Sequence, residues 1–194
     1  MMFYSKKLNK KGTLGFTLVE VLVSVGIFSI VMLVATGSVF TIVAANKKTH
    51  TLKSVMTNLN FALESMAREI RVGTGYQCGL SGGDCTLGDT SFRFTSNRDF
   101  DGDGLNDTLE YSFAVDANSK GRLYQRRYGT DPSPVPITAS EINITSMKFY
   151  VIGSSASDGK QPKLLITITG SVGEGDSKST FKIQTTVSQR SIDA

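Results

Sequence analysis

Acidic side chains recur at alternating positions in one short stretch, which reads Asp99-Phe-Asp101-Gly-Asp103-Gly104-Leu105-Asn-Asp107-Thr-Leu-Glu110. This spacing matches the calcium-loop pattern in which carboxylates, one backbone carbonyl and a final bidentate glutamate surround the ion. The calcium ligands would be the carboxylates of Asp99, Asp101, Asp103, Asp107 and Glu110 and the backbone carbonyl of Leu105. The stretch therefore predicts a structural calcium site, and the protein would require no other cofactor.

An acidic hairpin turn is the alternative for the same residues, because Asp-Gly-Asp-Gly is favourable turn chemistry. The flanking residues alternate like strands and not like the helices of an EF-hand, with Leu109, Tyr111 and Phe113 on one face. Glu110 would then lie on the solvent face and would have to turn toward the loop. Several carboxylates packed without a cation would repel one another, which favours the metal site.

The two cysteines, Cys78 and Cys85, are seven positions apart in a glycine-rich stretch. A structural zinc site needs about four ligands, and the chain has a single histidine, His50. A short disulfide loop fits better and predicts an oxidising compartment. Two free thiols in a reduced loop are the alternative.

Catalytic groups are scarce in this chain. His50 is the only histidine and lies in a polar stretch, carboxylates pair only in the acidic loop, and no phosphate-binding glycine motif opens a helix. The formal charge of +4 comes from Lys6, Lys7, Lys10 and Lys11, since without them the chain has 17 basic and 17 acidic side chains. The sequence therefore predicts neither an enzyme nor a protein that binds nucleic acid directly.

A long apolar run separates Glu20 from Lys47, with no charged side chain between them. As a helix, this run would be about 39 Å long and could cross a hydrocarbon core of about 30 Å. The four preceding lysines predict that the N-terminus stays in the cytoplasm and the rest lies outside. A secretory signal peptide would have a shorter apolar segment. A simple transmembrane anchor would not explain Glu20, because an ionisable side chain inside the membrane is energetically unfavourable.

The segment Gly15-Phe16-Thr17-Leu18-Val19-Glu20-Val21-Leu22-Val23, after a lysine-rich leader, resembles the processing motif of type IV prepilins and type II secretion pseudopilins. The resemblance implies that a prepilin peptidase cuts between Gly15 and Phe16 and then methylates the new amine of Phe16. It also implies that Glu20 pairs with that amine on a neighbouring subunit during assembly. Residues 62–71 and 184–190 more weakly resemble minor pilins and the J- or W-type pseudopilins.

The elements around these residues predict an α+β fold. Leu52, Val55, Leu59, Leu63 and Met66 continue the apolar run as an amphipathic helix, which Gly73 and Gly75 end. Alternation then predicts an antiparallel sheet with the helix across one face, as in pilin-like domains. We expect a cleaved leader at 1–15, a transmembrane helix at 16–45, an amphipathic helix at 46–74 and a β-domain at 75–194. Predicted strands cover residues 91–96, 108–114, 122–128, 142–152, 163–172 and 180–188.

Three functions fit this organisation. The first is a structural, minor subunit of a type IV or DNA-uptake pilus, which leaves the inner membrane for the cell surface. The second is a minor pseudopilin of a type II secretion system, and the third is a membrane-tethered adhesion or ligand-binding module that never polymerises. The expected partners of a pilin are other pilins, the prepilin peptidase and methyltransferase, the inner-membrane assembly platform and, before assembly, membrane lipid.

Overall fold

A computed structural model of the chain describes residues 15–79, 82–155, 159–173, 175 and 178–190. It confirms the predicted order of one long helix followed by antiparallel strands. Two compact units are present, one ending at Asn46 and the other beginning at Lys47. The elements are α1 (Leu18–Val72), β1 (Thr74–Cys78), β2 (Ser91–Thr95), β3 (Thr108–Val115), β4 (Gly121–Arg127), β5 (Val135–Pro136), β6 (Ile142–Ile152), β7 (Lys163–Val172) and β8 (Ser179–Ser188).

The second half of helix α1 has the predicted amphipathic pattern. Its buried side chains recur every three or four residues, which places them on one face of a helix; they are Val55, Leu59, Ala62, Leu63, Met66 and Ile70. The helix ends at Val72, where the Gly73 amide donates to the Glu69 carbonyl at 3.1 Å. Gly75 then takes a positive φ of 63°, a backbone conformation that glycine adopts without strain.

The strands form two antiparallel sheets, not the single sheet that was predicted. One sheet has the order β1-β2-β3-β4-β5 and the other the order β6-β7-β8. The prediction also omitted two short edge strands. Strand β1 follows the helix directly, and β5 lies in a stretch with several prolines. Proline is tolerated there because β5 is an edge strand.

Both sheets contribute alternate side chains to one hydrophobic core with α1. Phe92, Phe94 and Tyr111 come from the five-stranded sheet, and Phe149 and Ile166 from the three-stranded one. The rings of Phe92 and Phe149 stack with centroids 6.0 Å apart. Burial of these aromatic side chains is the main favourable term that holds the two sheets together.

Backbone contacts also join the two sheets. Asp89 and Phe149 form an isolated antiparallel bridge, with amide-to-carbonyl distances of 2.9 and 2.8 Å. The Gly121 amide donates to Asn143 Oδ1 at 3.0 Å. A β-carbon at Gly121 would overlap the Ile144 carbonyl oxygen, so glycine is required by this close approach.

Candidate functional site

The predicted cleavage point lies just before helix α1. Gly15, Phe16 and Thr17 are outside the helix, which begins at Leu18. The rest of the predicted leader, residues 1–14, with its four lysines, lies outside the described residues. Phe16 is 81% exposed. The structure therefore leaves Phe16, whose backbone nitrogen would become the methylated amine, open to another molecule.

Thr17 forms the first bonds of the helix. Its carbonyl accepts the Val21 amide at 3.2 Å, and its hydroxyl oxygen accepts the Glu20 amide at 3.2 Å. The hydroxyl thereby satisfies one of the amides that has no partner inside the first helical turn, which is the role of an N-cap.

Glu20 lies in the first turn of α1. Within the part of the chain that the structure describes, its carboxylate has no hydrogen bond or ion pair. The positive end of the helix dipole favours an anion at this position. A carboxylate in an apolar environment still needs a cation or hydrogen-bond donors, so a partner from another molecule is chemically required if lipid or other helices surround this turn.

All side chains from residue 15 to residue 51 are exposed. Four hydroxyl groups in this stretch have partners inside the helix, because Ser24, Ser29, Thr36 and Thr41 each donate to the carbonyl four residues earlier. Helix α1 is long and apolar enough to cross a membrane, and its hydrogen-bonded helical backbone suits a hydrocarbon environment. The segment is compatible with single-pass anchoring.

Cys78 and Cys85 form a disulfide with their Cα atoms 5.9 Å apart. Cys78 is buried at the end of β1, and the Cys85 amide donates to the Val151 carbonyl of β6 at 3.0 Å. The cross-linked loop therefore connects the five-stranded sheet to the three-stranded one.

Asp84, inside this loop, accepts the amides of Gly153 and Ser154 at 3.0 and 2.8 Å, and the Ser154 hydroxyl at 2.8 Å. Burial raises the pKa of Asp84, but the hydrogen bonds from Ser154 and Gly153 outweigh it and leave that pKa below its ordinary value. The ionised carboxylate thus holds the turn after β6 against the disulfide loop.

The acidic loop connects β2 to β3. It brings carboxylate oxygens of Asp99, Asp101 and Asp107 within 4.8 Å of one another, close enough to hold one cation. Asp99 accepts the amides of Gly102 and Gly104 at 2.6 and 2.8 Å. Asp107 is the most buried of the three carboxylates and accepts the Phe100 amide. Three carboxylates meet at this point, so a hard cation that prefers oxygen ligands would fit.

The pKa values of two of these carboxylates move in opposite directions. The amides of Gly104 and Gly102 lower the pKa of Asp99. The Asp103 amide lowers the pKa of Asp101, but desolvation and repulsion from Asp103, Asp107 and Asp99 outweigh it, so this pKa lies above its ordinary value. Desolvation is the largest cause that raises this pKa, and the repulsion between neighbouring carboxylates, which a cation would relieve, adds to it.

The remaining predicted ligands lie outside this group of three carboxylates. Asp103 Oδ1 accepts the Leu105 amide at 2.8 Å. Glu110 lies on the outer face of β3, where it accepts the Tyr128 hydroxyl at 2.5 Å and lies 3.9 Å from the Arg93 guanidinium. The structure thus brings three of the five predicted carboxylates together and directs Glu110 toward an arginine and a tyrosine instead.

Glu69 is a site residue that the sequence analysis did not single out. Its Oε2 accepts the Tyr111 hydroxyl at 2.9 Å and Gln125 Nε2 at 3.4 Å. This network ties the last turn of α1 to β3 and β4. A glutamate one position before the buried Ile70, on the edge of the apolar face, was the only signal in the sequence.

Comparison with known proteins finds one family. A model described as the prokaryotic N-terminal methylation motif matches residues 10–36. No curated protein and no solved structure matches the chain. The matched residues include the predicted cleavage point, Glu20 and the start of the apolar helix. The motif points to a type IV pilin-like or pseudopilin subunit, which is a structural class, and implies processing by a prepilin peptidase and assembly with other pilins.

Proposed function

We propose that the chain is a minor subunit of a type IV pilus-like filament, cut after Gly15, methylated on Phe16 and assembled through helix α1. The observation that carries this proposal is the match of residues 10–36 to the methylation motif. The motif continues into the apolar helix α1, and the side chains from residue 15 to residue 51 are exposed. Such a helix needs lipid or other helices around it. Lipid would surround it before assembly, and the helices of neighbouring subunits would surround it in the filament.

Before assembly the subunit would span the inner membrane once, with its lysine-rich leader in the cytoplasm. The disulfide between Cys78 and Cys85 supports placing the β-domain outside, because disulfides persist in oxidising compartments. The assembly platform of the inner membrane would then extract the cleaved subunit into the filament and carry it to the cell surface.

Glu20 would determine the axial position of each subunit relative to its neighbour in the filament. Cleavage creates a cation at Phe16, four residues before Glu20 in the chain. A pair between the amine of one subunit and the Glu20 carboxylate of its neighbour would neutralise both charges in the helix bundle. We expect Glu20→Gln to be cleaved normally but excluded from filaments. Glu64→Gln, an exposed glutamate on the same helix, is the matched control and should assemble like the wild type.

The deciding experiment is mass spectrometry of the N-terminus of the protein purified from filaments. The expected mature chain starts with methylated Phe16. An intact chain that begins at Met1 in a functional filament would refute the proposal, and an uncleaved chain outside any filament would favour a membrane-tethered binding module. Loss of secretion but not of pili on deletion would favour a pseudopilin of a type II secretion system.

A second, independent proposal concerns the acidic loop. We propose that Asp99, Asp101 and Asp107 bind calcium and that the ion rigidifies the hairpin of β2 and β3. The proposal is supported by the close approach of the three carboxylates. Calorimetric titration of the full-length chain in detergent with calcium should give heat that Asp101→Asn abolishes and Glu64→Gln preserves. No heat at millimolar calcium would refute the site.

A further inference from the structure

Thr17 lies between the proposed cleavage point and the first residue of helix α1. Its hydroxyl oxygen accepts the Glu20 amide and its carbonyl accepts the Val21 amide, both at 3.2 Å. The helix start is therefore set two residues beyond the bond that would be cut.

The residues around Thr17 have the complete sequence signature of a helix start. Thr17 and Glu20 have the spacing of a capping box, in which the N-cap hydroxyl accepts the amide three residues later. Phe16 and Val21 have the spacing of a hydrophobic staple, with apolar residues before the cap and in the first turn. The residues that match the methylation motif thus also encode where the helix begins.

The position of the helix start matters for the chemistry of cleavage. Hydrolysis adds water to the Gly15 carbonyl carbon and breaks the bond to the Phe16 nitrogen, which leaves a carboxylate on Gly15 and an amine on Phe16. If the helix began one turn earlier, the Gly15 carbonyl would accept the Val19 amide. The carbonyl oxygen would then be engaged and the carbon enclosed, whereas an enzyme has to bind that oxygen as negative charge develops on it.

We infer that Thr17 is a positioning residue for processing: as the N-cap of α1 it keeps the Gly15–Phe16 bond outside the helix. The inference rests on the proposed cleavage but goes beyond it, because it assigns a role to the Thr17 hydroxyl. Loss of the cap lets the helix extend upstream, and only the non-helical fraction is cut. The enzyme then meets a substrate with a weaker apparent affinity.

The test is the cleavage rate of full-length variants in membranes by a purified prepilin peptidase. Thr17→Val keeps the shape but removes the acceptor, and we expect KM to rise about fivefold with kcat unchanged. Thr17→Ser and Thr17→Asn can still cap and should be cut like the wild type. Thr41→Val is the matched control, since the Thr41 hydroxyl donates within the same helix but caps nothing.

The outcomes separate the inference from the proposed function. Thr17→Val cut with the wild-type KM, Thr17→Ser as slow as Thr17→Val, or a fall in kcat instead of a rise in KM would each overturn the capping role while leaving cleavage itself intact. A wild-type chain that is not cut at all would refute the proposed function and the capping role together. Amide hydrogen exchange of Val19 provides the structural readout: it should be slower in Thr17→Val than in Thr17→Ser, because the extended helix gives this amide the Gly15 carbonyl as its acceptor.

Discussion

Replacing Tyr111 with phenylalanine tests the link between helix α1 and the five-stranded sheet. The Tyr111 side chain is 1% exposed, and its hydroxyl donates to Glu69 Oε2 at 2.9 Å. Gln125 Nε2 lies 3.4 Å from the same oxygen, and the Arg98 guanidinium lies 4.0 Å from the other one. The substitution keeps the ring in the core and removes the hydroxyl, which is the strongest donor to a largely buried carboxylate and also accepts Gln125 Nε2 at 3.4 Å.

The expected cost follows from the charge of the acceptor. A hydrogen bond to a charged group contributes about 1.5–3 kcal/mol, so Tyr111→Phe should lower the free energy of unfolding by about 2 kcal/mol. The Arg98 guanidinium is well exposed and cannot replace the lost donor, since exposed ion pairs contribute at most about 1 kcal/mol. Glu69→Leu breaks the same bond from the other side. The double variant should therefore cost less than the sum of the single ones, by about 1–2 kcal/mol.

The pH dependence gives a second, independent signature. Burial, followed by the charge and the hydrogen bond of Glu69, raises the pKa of Tyr111 far above its ordinary value. The folded state then keeps the proton that the unfolded state loses near pH 10. The contribution of Tyr111 is complete below pH 10 and is lost above it, by about 1.4 kcal/mol per pH unit. The stability difference between the wild type and Tyr111→Phe should shrink accordingly.

Urea unfolding of the full-length chain in detergent, followed by circular dichroism, measures both effects. Tyr124→Phe is the matched control, because Tyr124 lies half-buried on the outer face of β4. We expect this control to change stability by less than about 0.5 kcal/mol. Additive single variants, or a stability difference that stays constant above pH 10, would refute the role assigned to the bond between Tyr111 and Glu69.

Three further predictions concern the contacts between the two sheets. Gly121→Ala should destabilise the chain by about 1–3 kcal/mol, because its β-carbon meets the Ile144 carbonyl; an unchanged urea midpoint would contradict the close packing. Replacing Cys78 and Cys85 with serine should cost about 2–3 kcal/mol, and reducing agent should then have no further effect on the thermal midpoint. Asp84→Ala should cost only about 0.5–1 kcal/mol, because this carboxylate is exposed. The lowered pKa of Asp84 means that its contribution to stability is present at neutral pH and declines as the pH falls below about 3.8. A stability difference between the wild type and Asp84→Ala that does not shrink in this range would exclude the charged form as the cause.

Much of the fold could be predicted because its signals are local and periodic. The apolar positions from Leu52 to Ile70 recur with the helical period, and the strands from Ser91 on alternate with a period of two. The helix start was predicted two residues early, at Phe16, although the Thr17 and Glu20 spacing already contained the cap. The division into two sheets could not be predicted in this way, because it depends on which strands pair over long distances in the chain.

The sequence by itself determined the match of residues 10–36 to the methylation motif and the long apolar helix, because a contiguous motif and a long uncharged run need no tertiary partner to be recognised. The tertiary structure alone decided which carboxylates meet. Sheet register places Glu110 opposite Arg93 and Arg126, so Glu110 interacts across strands and not with the acidic loop. Helix packing places Glu69 beside Tyr111. Such pairs join residues that are distant in the chain, and only the packing of complete elements fixes their distances.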